Sequence, residues 1–109
     1  MWSVSFASES IEEEFLELPE NLKAKGLRIF KLLETRGNTL GEPYTKQLSD
    51  DLFEIRMIAS GNIARSVYCY ESGRQIIILL TFVKKTQKTP KAMLELAKKR
   101  LKEYKNGTC

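Results

Sequence analysis

Residues 76–80 read Ile-Ile-Ile-Leu-Leu, and the apolar run continues through Thr81 and Phe82 to Val83. Successive side chains of a strand point to opposite faces, so a run without alternation must be covered on both. That places it inside a sheet, not at its rim. The run stops abruptly at Lys84, Lys85 and Lys88, and Pro90 follows. Three cations thus leave the end of a buried strand, where packing can hold them against a polyanion. The pattern points to RNA.

Charge along the chain agrees. The net charge of +4 is the sum of two opposed ends. Residues 1–20 carry six Glu and no Lys or Arg, whereas residues 84–105 carry nine Lys or Arg against two Glu. One strongly cationic face is the usual footprint of a nucleic-acid binder, although a basic helix can also be merely solvated. At 109 residues the chain is read as a single domain, 1–109, with one modest core. It shows no membrane-length apolar run and no signal-peptide pattern, so a cytoplasmic location is expected. Cys69 in a strand and Cys109 at the end read as free thiols.

Hydrophobic periodicity supplies the order β-α-α-β-β-β-α. Trp2, Val4 and Phe6 alternate with serines, as in a half-buried first strand. Ser10 and Glu13 resemble a capping box for a short helix that buries Ile11, Phe15 and Leu18 and ends at Pro19. Leu22, Gly26, Ile29, Phe30 and Leu33 then mark a second helix, stopped by Gly37. Residues 37–50 read as a loop. Strands follow at 52–58, 64–70 and 76–83, joined by turns at 60–62 and 71–74. A last helix from Pro90 to about Lys105 buries Met93, Ala97, Leu101 and Tyr104. The fold class is therefore α+β. A small antiparallel sheet with a mixed edge carries the helical hairpin on one face, and the other face stays open beneath the basic tail.

Strand alternation sorts the polar residues. Glu54 and Arg56 share one face of their strand, opposite Phe53, Ile55 and Met57. An unpaired guanidinium is too costly to bury, so Arg56 either pairs with Glu54 or faces the open surface. Arg65 lies on the side of Val67 and Cys69; Tyr68 and Tyr70 lie on the other. Arg65 is placed on the open face, which sends the tyrosines to the core with hydroxyls in need of partners.

The chain has no His, which excludes an imidazole base, and no glycine-rich phosphate loop. The remaining inventory of Lys, Arg and Tyr suits metal-free RNA cleavage. There a 2′-hydroxyl attacks the adjacent phosphorus, and cations stabilise the phosphorane. A lysine among arginines has its proton affinity lowered and can transfer protons. No metal and no cofactor are called for.

Four segments in order carry a resemblance: Gly-Glu-Pro-x-x-Lys-x-Leu (41–48), Leu-Phe-Glu-Ile-Arg (52–56), Arg-x-x-Tyr (65–68) and Phe-Val-Lys-Lys-Thr-Gln-Lys-Thr-Pro (82–90). Together with Glu-Leu-Ala-Lys-Lys-Arg-Leu-Lys-x-Tyr (95–104), they resemble the phage-derived branch of the RelE/HigB-like toxins of type II toxin–antitoxin modules. The resemblance implies an endoribonuclease that cuts messenger RNA in the ribosomal A site without a metal. Carried over by position, it implies catalytic roles for Arg56, Arg65, Lys84 and Lys85, and RNA contacts for Lys46, Lys88 and Lys91. Arginine stays protonated, so Arg56 is expected to clamp phosphate while Lys84 or Lys85 moves protons. Implied partners are messenger RNA, the 70S ribosome and a cognate antitoxin, often a helix-turn-helix protein, through which operator DNA would be bound; no membrane is implied. A non-catalytic RNA- or ribosome-binding module, or a toxin acting on DNA gyrase, are the alternatives.

Overall fold

The computed structural model describes residues 1–84 and 89–107, with the backbone alone at Lys84. The elements run β1 (Ser3–Phe6), α1 (Glu9–Leu16), α2 (Glu20–Arg36), a 3-10 turn (Gly37–Thr39), β2 (Thr45–Gln47), β3 (Phe53–Ala59), β4 (Asn62–Glu71), β5 (Gln75–Lys84) and α3 (Lys91–Lys105). They form a mixed sheet in the order β1-β5-β4-β3-β2. β1 pairs with β5 in parallel, and the other pairs are antiparallel. The uninterrupted apolar strand, β5, accordingly lies inside the sheet between β1 and β4.

The expected order holds, with β2 added inside the region read as a loop. Three residues are too few to show alternation, and Lys46 and Gln47 are exposed. Pairing with β3 makes this segment a strand, and that pairing has no local signature. The hairpin between β3 and β4 closes through Ser60 and Gly61, with φ of 51° and 79°. Positive φ at both central residues is the tight turn that matches strand twist.

The first helix is capped two residues earlier than its sequence suggests. Ser8 is the N-cap and its hydroxyl accepts from the Ile11 N–H, so Ser10 sits within α1. Ile11 and Phe15 of α1, with Leu22, Ile29 and Leu33 of α2, cover one face of the sheet over Ile55, Met57, Tyr68, Ile76 and Ile78. The opposite face is not left open, contrary to expectation. Ala97 and Leu101 of α3 pack there against Leu52, Val67, Cys69, Ile77 and Leu79. Ile77 and Leu79 point away from the helical hairpin and would otherwise meet water, so α3 supplies the cover that the two-faced strand requires. Burial, and then the charge of Glu71, push the Cys69 thiol up to about 11, which keeps it protonated. It is free and buried, as read; Cys109 lies outside the described residues.

Beyond Phe6, β5 would present a bare edge. Glu14 accepts there from the Thr81 N–H (3.2 Å), and Arg100 donates to the Leu79 carbonyl (2.9 Å). The two side chains also form a two-pronged ion pair at 2.9–3.0 Å, tying α1 to α3 around the sheet. An open edge is thereby closed to other strands. Arg100→Met is expected to cost about 1–2 kcal/mol, partly screened by salt because both groups are part-exposed. Thermal melts at low and high ionic strength would read it; equal melting of variant and wild type would remove the clamp from the account of stability. Among the described residues, no helix is long and apolar enough to cross a membrane.

Candidate nucleic-acid site

Arg56 of β3 and Arg65 of β4 are direct cross-strand partners. Both therefore project from the sheet face that carries α3. Like charges directly opposite repel, and this pair needs an anion between them. Glu54 provides it. Its carboxylate is fully buried and takes a close ion pair from the Arg65 guanidinium. Arg56 Nε reaches the same oxygen at 3.4 Å, and the Thr89 hydroxyl donates to the other at 2.5 Å. Arg56 is part-exposed and also lies 4.0 Å from Glu42.

This cluster settles the two readings of Arg56, since it pairs with Glu54 and still reaches the surface. Arg65 lies on the side predicted for it, but it is only 4% exposed instead of open to solvent. The structure thus draws together Arg56, Arg65 and two residues that sequence reasoning did not assign to the site, Glu54 and Thr89. Glu54 stood only as a possible neighbour of Arg56, because the register that puts Arg65 beside it depends on the β3–β4 pairing. Thr89 left no signal; it ties the chain just before α3 back to β3. Glu54, Arg56 and Arg65 sum to a formal +1, which the exposed Glu42 beside Arg56 offsets.

The other candidates surround it. Lys46 is exposed on β2, in register with Glu54. Lys84 ends β5 opposite Ile63, two residues before Arg65 along β4. Lys91 opens α3 and is exposed. Lys85 and Lys88 lie outside the described residues. Pro90 is the cap of α3 and not its first residue.

Tyr68 is fully buried beneath the hairpin, as expected for the core face. Its hydroxyl meets no hydrogen-bond partner within ordinary geometry among the described residues, although Tyr70 and Thr45 are near. Burial first, then Tyr70, push the phenol far above its usual range, so it does not exchange protons at neutral pH. A buried hydroxyl without a partner destabilises. Tyr68→Phe is accordingly expected to leave stability unchanged or raise it by up to about 1 kcal/mol; a loss in urea titration would reveal a hydrogen bond through the hydroxyl.

The model of the family described as phage derived protein Gp49-like (DUF891) matches residues 13–102 of this chain, which include the motifs at 41–48, 52–56, 65–68 and 82–90 and most of 95–104. The chain belongs to the Gp49-like family. No curated protein matches it. Among solved structures, the Gp49-like chain resembles an arginine-to-alanine double mutant of the Escherichia coli toxin RelE in the free state. The TM-score is 0.65 at 14% identity, covering 92% of this chain and 97% of that one. It also resembles an archaeal RelE–RelB complex from Pyrococcus horikoshii, with TM-score 0.56 and 16% identity over 80% and 98% of the two chains. At such identities the likeness is one of fold. The phage-derived family read from the motifs is thus shown, and the RelE-like likeness holds for the architecture.

Proposed function

We propose that this Gp49-like protein is the toxin of a toxin–antitoxin module, a metal-independent endoribonuclease that cuts messenger RNA in the A site of the 70S ribosome. The observation that carries the proposal is the pair of guanidiniums, Arg56 and Arg65, facing each other across Glu54 at the end of a sheet whose last strand runs into lysines. Arg65 and Arg56 would hold the scissile phosphate and stabilise the phosphorane. The 2′-oxygen forms its bond to phosphorus as the bond to the 5′-oxygen breaks, leaving a cyclic phosphate and a 5′-hydroxyl. Lys84 or Lys85 is assigned the proton transfers, and Lys46, Lys88 and Lys91 the grip on RNA. Glu54 holds both arginines in place before substrate arrives. An antitoxin, with an acidic segment over the cationic site, is the proposed inhibitor in a cytoplasmic setting.

Mapping of 5′ ends on messages after brief induction tests this directly. Discrete in-frame cuts are expected, absent with Arg65→Ala and with Lys85→Ala. The burial of the Glu54–Arg65 pair favours one second reading, in which the cluster is a structural ion pair under a non-catalytic RNA-binding surface. Intact messages with persisting growth arrest would select that reading. A fall in DNA supercoiling over intact messages would instead select gyrase as the target.

A further inference from the structure

β2 pairs with β3 only over Phe53, Glu54 and Ile55, and the Tyr44 carbonyl takes the Arg56 N–H. Past that point the edge of β3 has no strand partner among the described residues, and a groove of about 290 Å³ opens between it and α2. Lys25, Arg28 and Leu32 of α2 form one wall, and Tyr44, Arg56 and Ile58 the other. Lys25 and Arg28 are exposed, and among the described residues neither enters an ion pair, whereas Lys23 on the same helix is paired with Glu20. Tyr44 and Ile58 are large side chains left 41% and 57% exposed.

Resting on the nuclease reading, we propose that this groove binds the single-stranded RNA flanking the scissile bond, with phosphates on Lys25 and Arg28 and a base stacked on Tyr44. Arg56 lines the groove and also belongs to the Glu54–Arg65 cluster, so a strand held at that cluster continues into the groove without a break. Cations beside an exposed aromatic ring are the combination that holds single strands irrespective of sequence. Glu42, 4.0 Å from Arg56, is exposed enough to swing aside.

The test is fluorescence anisotropy of the full chain with a labelled 2′-O-methyl RNA decanucleotide. That probe lacks the nucleophile, so its binding is read independently of cleavage, and 5′-end mapping judges the nuclease separately. Lys25→Ala with Arg28→Ala is expected to weaken binding about tenfold and to flatten its salt dependence by roughly one to two counterions. Tyr44→Ala is expected to weaken it about fivefold or more, with Tyr44→Phe close to wild type. The proposal is overturned if wild type does not bind, or if folded variants bind as wild type does. It is likewise overturned if a glutamate-rich decapeptide, and not the RNA, loses binding in these variants; the groove would then serve an acidic protein segment.

Discussion

Arg65→Ala is expected to lower message cleavage by about a hundred- to a thousandfold, the range seen when a preorganised donor to a developing charge is removed. Growth arrest on induction should disappear with it. The substitution also acts on the fold. Glu54 is fully buried and would keep only Arg56 and Thr89 as described partners, and breaking a buried pair costs about 3–5 kcal/mol. Activity loss alone would therefore not separate chemistry from unfolding. Arg65→Lys makes the distinction, because it retains a cation for Glu54 while losing the planar fork that grips phosphate. A lysine variant that melts near wild type yet fails to cut would assign the arginine a role in the reaction. Full cleavage by a folded alanine variant would remove Arg65 from the mechanism.

The second large effect is on stability, at Gly37. This residue ends α2 with φ of +52°, and its α-carbon lies against the indole of Trp2. A Cβ there would overlap the indole ring, so Gly37→Ala combines backbone strain with overpacking. A loss of about 3 kcal/mol is expected, or roughly 15 °C in melting temperature for a chain of this size. Gly61 supplies the control. Its φ is +79° but nothing lies within 4 Å of a Cβ, so Gly61→Ala carries the strain alone and should cost about 1–2 kcal/mol. Equal melting shifts for the two variants would mean that Trp2 moves away freely and does not lock the end of α2.

Gly37 also marks how far the sequence could be read. Its place at the end of a periodic helix was legible, because a helix terminator is a local signal. Its contact with Trp2 was not, since the two come together only through the fold. The same division runs through the site. Alternation along β3 put Glu54 and Arg56 on one face, and the two-faced composition of β5 placed that strand inside the sheet. Which residue of β4 would stand opposite Arg56 depended on the hairpin register, fixed by Ser60 and Gly61. Strand β2 escaped for a related reason: nothing in Thr45-Lys46-Gln47 favours a strand until β3 is beside it. The open sheet face was an error of accounting for β5, whose apolar residues on the second side already demanded α3.

The pairing of β1 with β5 has a consequence in time. A chain leaves the ribosome from its N-terminus, so Ser3–Phe6 must wait for Gln75–Ile78 before acquiring a neighbour in the sheet. Glu14 waits longer still, for Arg100, and Glu54 waits for Thr89. Contacts between residues so far apart therefore delay completion of the structure until α3 has been made. For a protein proposed to attack ribosomes, this means that a nascent chain carries no finished site, and the ribosome making it is spared until the last helix has emerged.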